Sequence, residues 1–114
     1  MKTTHHRFTT LNTSLELLVA MRPLVEAVGK HDKSLMDQLR RAAQSIHLNL
    51  SESCGLRDGH RRERFRTALG SAYETRGALE VAAVFGYVDS ARSREALRIL
   101  ESLIAQLYRL AMPR

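Results

Sequence analysis

Residues 35–53 read LMDQLRRAAQSIHLNLSES, and this stretch decides the fold. Its apolar and small residues recur at alternating steps of four and three, which places them along one face of a helix. These seam positions are Leu35, Leu39, Ala42, Ile46, Asn49 and Ser53. A seam of this kind must be covered by other helices. Because 44% of the 114 residues are hydrophobic, only 5% are aromatic and tryptophan is absent, close helix packing is favoured and the sequence predicts an all-α protein.

Three further helical segments accompany this seam. The expected helices run from Thr13 to Gly29, from Asp32 or Ser34 to Ser53, from about His60 to Gly86, and from Asp89 or Ser90 onward. In the first helix the apolar positions are Leu15, Leu18, Val25 and Val28, with Leu17, Met21 and Leu24 beside them. Since the connections are short, consecutive helices must alternate in direction. We expect an antiparallel, up-down-up-down four-helix bundle over residues 11–114, after a flexible arm over residues 1–10.

Two features of the third and fourth helices indicate contacts beyond a single bundle. Gly70 and Gly77 lie two turns apart on one stripe, and each costs about 1 kcal/mol of helix propensity relative to alanine. This cost predicts that a neighbouring backbone approaches the stripe closely. In the fourth helix, Ile99 widens an apolar face that is already broad. The surplus apolar surface is expected to bury against another subunit.

Charge and cysteine content narrow the classes of function. The chain has 18 basic and 12 acidic residues and a formal net charge of +6, which favours a polyanionic partner. The first residues lack the apolar run of a secretory signal, and no uncharged stretch is long enough to span a bilayer. The single Cys54 cannot form an internal disulfide. We therefore expect a cytoplasmic protein without a membrane partner.

The candidate catalytic and metal-binding residues do not form a set. Cys54 is interpreted as structural or incidental. His47 and Glu52 lie five residues apart on one helix, which puts them on different faces and does not suit a shared metal ion. His5 and His6 are adjacent in the polar arm and belong to a natural tail or a purification tag. We expect no enzymatic activity, no cofactor and no metal.

Polar residues interrupt the second and third helices. Asn49 and Glu52 are three residues apart on one, and Ser71 and Glu74 are three residues apart on the other. A short loop joins these antiparallel helices, so the two turns are expected to lie near each other. The carboxylates could act as a paired acid and base. The favoured interpretation is a buried polar network that fixes the register of the helices.

The segment from Arg57 to Arg66 is the strongest candidate for ligand binding. The predicted nucleic-acid contacts are Arg57, His60, Arg61, Arg62, Arg64 and Arg66. Guanidinium groups suit phosphate contacts, and basic residues at a helix N-terminus oppose the helix dipole, which a binding function would explain. The alternative is a solvated helix end with ion pairs such as Arg62 or Arg66 to Glu63. Since the sequence contains no base-reading motif, binding would be mainly to the nucleic-acid backbone.

These motifs resemble a known family over about Leu11 to Leu110. The residues concerned are Gln38 to Ala43, Ser45-Ile46, Asn49 to Glu52, Gly55, and Ala68 to Ala72 with Glu74. In order and spacing they resemble the four-helix bundle family of the 23S rRNA intervening-sequence proteins, although Ser53 stands where that family commonly has glycine. The resemblance implies an antiparallel bundle that assembles into a homopentamer. A related branch, the accessory variability proteins of diversity-generating retroelements, implies association with nucleic acid and a reverse transcriptase.

Two function hypotheses follow from the sequence. The first is a non-enzymatic, oligomeric bundle that associates with nucleic acid, RNA favoured, through its arginine-rich surface. The alternative is a structural or protein-interaction module whose basic surface serves partner docking or solubility. Salt-dependent binding to RNA distinguishes them, because only the first hypothesis requires it.

Overall fold

The computed structural model describes the backbone of residues 2–112 and the side chains of residues 8–112. This part of the chain contains four α-helices and no strand: α1 (Lys2–Gly29), α2 (Lys33–Ser53), α3 (Asp58–Val84) and α4 (Ser90–Ala111). Helices α1 and α3 each pack against both α2 and α4, so the four helices surround one common core. The predicted all-α, up-down-up-down four-helix bundle is confirmed.

The start of α1 differs most from the sequence-based expectation. The helix begins at Lys2, so the predicted start at Thr13 is wrong. The Thr13 hydroxyl lies inside the helix and donates a hydrogen bond to the Thr9 carbonyl at 3.0 Å instead of capping a helix end. Thr10 is buried, so the helix already packs on the bundle within the segment assigned to the arm. The side chains of His5 and His6 lie outside those that the structure describes.

The starts of α2 and α4 follow the predicted capping chemistry. The Asp32 carboxylate accepts a hydrogen bond from the Leu35 backbone N–H at 2.9 Å, and Asp89 accepts one from the Arg92 N–H at 2.9 Å. Helix α3 begins at Asp58, two residues before the predicted start at His60. The backbone of Asp58 is left-handed, with φ at 48°, a conformation that aspartate tolerates better than most residues.

The core confirms the seam of α2 and corrects that of α1. In α2, Leu39 and Ile46 are fully buried. In α1 the buried apolar positions are Leu17, Met21, Leu24 and Val28. Leu15 is 47% exposed, and Leu18 and Val25 are only half-buried, so the expected emphasis on those three positions was wrong. The helix is rotated so that Leu18 and Val25 lie at the outer boundary between α1 and α2.

Ile99 and the two α3 glycines do not have the surroundings that the sequence predicted. Ile99 is buried, so the wide face of α4 is used within one chain. Gly70 and Gly77 face outward, and no atom outside their own local helix backbone and chain neighbours lies within 4 Å of where a Cβ would sit. The predicted close approach to these glycines is therefore not made by any described part of the chain. The described helices include none with the length and apolar character needed to cross a membrane.

Candidate nucleic-acid interface

The predicted basic cluster lies at the end of the bundle where α2 connects to α3. Arg57 is the residue that precedes α3, and it makes no side-chain capping hydrogen bond. Since α1 and α3 run in the same direction, α1 begins and α4 ends at this end as well. Arg109, in the last turn of α4, therefore adds a further positive charge here.

Three of the six predicted contact residues are available to a ligand. Arg57, His60 and Arg62 are exposed, and none forms an ion pair or a side-chain hydrogen bond with the rest of the described chain. His60 and Arg64 lie four residues apart and share one face of α3, whereas Arg57 precedes the helix in an extended backbone conformation and Arg62 lies on another face. These residues can present positive charge and hydrogen-bond donors to phosphate groups around the start of the helix.

The other three predicted contact residues already have partners. Arg61 is half-buried, and its Nε and Nη2 donate to the Leu56 carbonyl at 3.0 and 2.8 Å, so its guanidinium holds the connection between α2 and α3 in place. Arg64 Nη1 lies 3.1 Å from Glu52 Oε2. Arg66 Nη1 lies 3.7 Å from Glu63 Oε2, as the solvated-end alternative expected for that pair. Both ion pairs are exposed and worth about 1 kcal/mol or less, so a phosphate can compete for these arginines.

A polar network joins α2 and α3 beside the basic cluster. Ser45 Oγ lies 2.8 Å from Ser71 Oγ, and Asn49 Nδ2 donates to the Ser45 carbonyl at 2.9 Å and to Ser45 Oγ at 3.1 Å. Arg64 Nη1 donates to Asn49 Oδ1 at 3.3 Å and so connects the network to Glu52. The predicted members Asn49 and Ser71 are thus brought together by Ser45. Sequence reasoning missed Ser45, although it lies one helical turn before Asn49.

The two predicted carboxylates do not lie together. Glu52 is 58% exposed and touches the network only through Arg64, so it is not the buried member that was expected. Glu74 is exposed and lines a separate groove of about 330 Å³ with Asp37 and Arg41, near the start of α2. Asp37 and Glu52 are roughly 20 Å apart along the axis of α2. Glu52 and Glu74 therefore cannot act as an acid and base on one substrate.

Ion pairing also accounts for the arginines near the start of α2. Arg40 donates a hydrogen bond to Asp37 at 3.0 Å, and Arg41 lies 3.7 Å from the same carboxylate. The hydrogen bond from Arg40 and the charge of Arg41 lower the pKa of Asp37. The carboxylate therefore remains ionised at neutral pH. The negative charge of Asp37 partly neutralises Arg40 and Arg41. At the α2–α3 end, no described carboxylate forms an ion pair with Arg57 or Arg62.

A histidine and a serine meet between α1 and α2. His47 Nδ1 lies 2.7 Å from Ser14 Oγ, and the Ser14 hydroxyl donates to the Leu11 carbonyl at 2.7 Å. Because that proton is directed to a carbonyl, the histidine nitrogen is the donor to Ser14 rather than the base that would activate it. In the described part of the chain, no three His, Cys, Asp or Glu side chains are arranged to hold a metal ion.

Truncation of Asn49, inside the polar network, should lower stability more than truncation of Glu52, which is exposed at the edge of the network. Asn49→Ala is expected to lower the free energy of unfolding by roughly 1 to 3 kcal/mol, because the half-buried Ser45 carbonyl and the Arg64 guanidinium each lose a partner. Glu52→Ala should change it by less than about 1 kcal/mol, because the ion pair is exposed. Denaturant titration of both variants measures the difference. Equal losses would contradict the assignment of Asn49 to the network and Glu52 to its edge.

Comparison with known proteins agrees with this fold. A model of the 23S rRNA-intervening sequence protein family matches residues 8–109. The structure is similar to the crystal structure of a protein of unknown function from the S23 ribosomal protein family of Bacteroides thetaiotaomicron VPI-5482, with a TM-score of 0.82 and 20% sequence identity, over 91% of this chain and 99% of that one. The sequence matches no curated protein. Since the family model covers most of the chain, the protein belongs to the 23S rRNA-intervening sequence protein family.

Proposed function

We propose that this protein is a non-enzymatic, oligomeric bundle that binds nucleic acid, RNA favoured, through the α2–α3 end. The carrying observation is that Arg57, His60 and Arg62 are exposed and unpaired within the described chain, although Glu63 and Asp58 are close by in sequence. Arg57 and Arg62 are unpaired cations near a helix N-terminus, where positive charge opposes the helix dipole. A phosphate ligand would offset this unfavourable arrangement.

The residues around these three support a phosphate-binding surface. Arg64 and Arg66 lie close by in sequence and form exposed ion pairs, and Arg64 also donates to Asn49 Oδ1. Because exposed ion pairs are weak, both arginines can exchange a carboxylate for a phosphate. Arg61 fixes the connection that carries Arg57. The predicted contact residues offer charge and hydrogen-bond donors, and the sequence contains no base-reading motif, which favours contacts to the nucleic-acid backbone with little sequence preference.

Assembly would multiply this modest surface. A ring of identical subunits repeats the same cluster, and repetition raises the overall affinity without any new contact. The family resemblance implies a homopentamer. Light scattering coupled to size exclusion should therefore report a closed oligomer, with five subunits as the expected number. A monomer at micromolar concentration would contradict the assembly.

Binding itself is tested with labelled RNA. Fluorescence anisotropy with a single-stranded RNA and a duplex of equal length should show binding to both near physiological salt, weakening as salt is added. We expect the protein to act in the cytoplasm, with a reverse transcriptase as one protein partner that the resemblance suggests. If neither RNA binds near physiological salt, the protein-interaction module takes the place of this proposal.

A further inference from the structure

An apolar groove runs along the outside of the bundle between α1 and α2. It has a volume of about 300 Å³, and its apolar walls include Leu18, Val25 and Ala43. Arg22 and Arg40 stand at its rim, with Glu26 beside them. Leu18 and Val25 are the half-buried side chains that the core of one bundle leaves uncovered. The groove therefore presents apolar surface bordered by two arginines and one glutamate.

A second apolar surface covers the last turns of α3. Val84 is 83% exposed, Phe85 is 64% exposed and Val81 is 43% exposed. Together with Gly77 and Glu80 these residues line one outward-facing surface, the α3 patch. Val84 and Phe85 are large, exposed apolar side chains, and the Phe85 ring lies 5.6 Å from the Tyr87 ring, centroid to centroid. Gly77 leaves the helix backbone open to close approach.

The groove and the α3 patch lie at the same height in the bundle. The groove residues of α1 lie within the last three turns before Gly29, and the patch occupies the last turns before Gly86. Helices α1 and α3 run in the same direction, so both surfaces are near the same end. They lie on different sides of the molecule. A copy rotated about an axis parallel to the bundle can therefore place its patch against the groove of its neighbour, a head-to-tail contact of the kind that closes into a ring.

Charge complements this fit. Glu80 in the patch forms no direct ion pair with another described residue. Arg76, one turn before it, donates to Glu101 at 2.9 Å and interacts with the Glu80 charge only at longer range. Arg22 at the groove rim also has no ion-pair partner in the described chain, whereas Arg40 pairs with Asp37. A neighbouring copy can therefore supply each of these two unpaired charges with its opposite.

We propose that the occupant of the α1–α2 groove is the α3 patch of a second copy of this chain. Val84 and Phe85 enter the groove over Leu18 and Val25, and Glu80 meets Arg22 across the contact. Gly77 lets the two helix backbones approach. The inference rests on the proposed assembly and names the surfaces that build it. It places the contact on α1, α2 and α3, away from the buried face of α4.

Charge reversal tests this contact. Arg22→Glu and Glu80→Arg should each weaken the oligomer, raising the dissociation constant at least tenfold in light scattering or sedimentation, and the double reversal should restore assembly. Glu74→Arg makes the same charge change on α3 outside the patch and should leave the stoichiometry unchanged. Val84→Ser should also weaken assembly while circular dichroism shows unchanged helicity, because Val84 is 83% exposed in the single chain.

The outcomes separate the interface from the wider proposal. A monomeric parent protein would overturn both the assembly and the interface. An oligomer that neither reversal weakens would overturn the interface and leave the assembly standing. Failure of the double reversal to restore the oligomer would overturn the pairing of Glu80 with Arg22. RNA binding is measured in a separate experiment. A failure to bind RNA therefore does not change what the measured stoichiometry says about the interface.

Discussion

Leu39→Ala is expected to lower the free energy of unfolding by about 2 to 5 kcal/mol, the range for truncation of a fully buried leucine. Leu39 is fully buried at the second position of the α2 seam, in the core that all four helices form. Removing it leaves a cavity that close-packed neighbours fill only in part. Small domains are stable by about 5 to 15 kcal/mol, so this single truncation removes a large share of the total.

Leu48→Ala is the matched control. It makes the same chemical change on the same helix at a side chain that is 57% exposed, so the loss should stay within about 0.5 kcal/mol. Chemical denaturation followed by circular dichroism, at one protein concentration for all variants, gives both values. Similar losses for the two variants would show that the seam does not hold the bundle together.

The parts of the fold that could be predicted are those determined by a pattern within a single helix. The α2 seam is visible because buried and exposed residues alternate with the helical period, and Asp32 and Asp89 mark helix starts because a carboxylate can accept from a free backbone N–H. The start of α1 carries a misleading local signal. Thr13 and Glu16 have the spacing of a capping box, yet the helix begins at Lys2. Thr10 is already buried, so packing on the bundle extends α1 before Thr13.

The candidate site was predictable only where one helix determines it. The exposure of Arg57 and Arg62 follows from their place at the start of α3, whereas the partners of Arg64 depend on how α2 faces α3. Because these helices are antiparallel, residues late in α2 face residues early in α3, and residues early in α2 face residues late in α3. Glu52 therefore faces Arg64, and Glu74 lies beside Arg41 near the far end of α2. The equal three-residue spacing of Asn49 and Glu52 on α2 and of Ser71 and Glu74 on α3 did not show which residues of the two helices face each other.

Removal of the unpaired cations should have the largest effect on binding. Arg57→Gln with Arg62→Gln is expected to weaken RNA binding at least tenfold, because both side chains are exposed and have no partner to lose within the described protein. Arg61 is left intact because it holds the connection through the Leu56 carbonyl. The bundle and its oligomeric state should be unchanged, which circular dichroism and light scattering check.

A charge-matched control separates a local site from a general effect of net charge. Arg92→Gln with Arg94→Gln removes the same two charges from exposed positions at the opposite end of the bundle. If only overall charge attracts RNA, this pair should weaken binding as much as the first. The proposed site predicts that the control pair retains most of the parent affinity.

The salt dependence of RNA affinity tests the nucleic-acid proposal most directly. Counterion release makes the logarithm of the association constant fall linearly with the logarithm of salt concentration, by about 0.7 for each phosphate neutralised on a single strand and about 0.9 on a duplex. Loss of the Arg57 and Arg62 contacts should therefore reduce the slope by about 1.4 on single-stranded RNA, whereas the Arg92 and Arg94 control keeps the parent slope. No binding by the parent protein near physiological salt, or an unchanged slope after removal of Arg57 and Arg62, would contradict the proposed function.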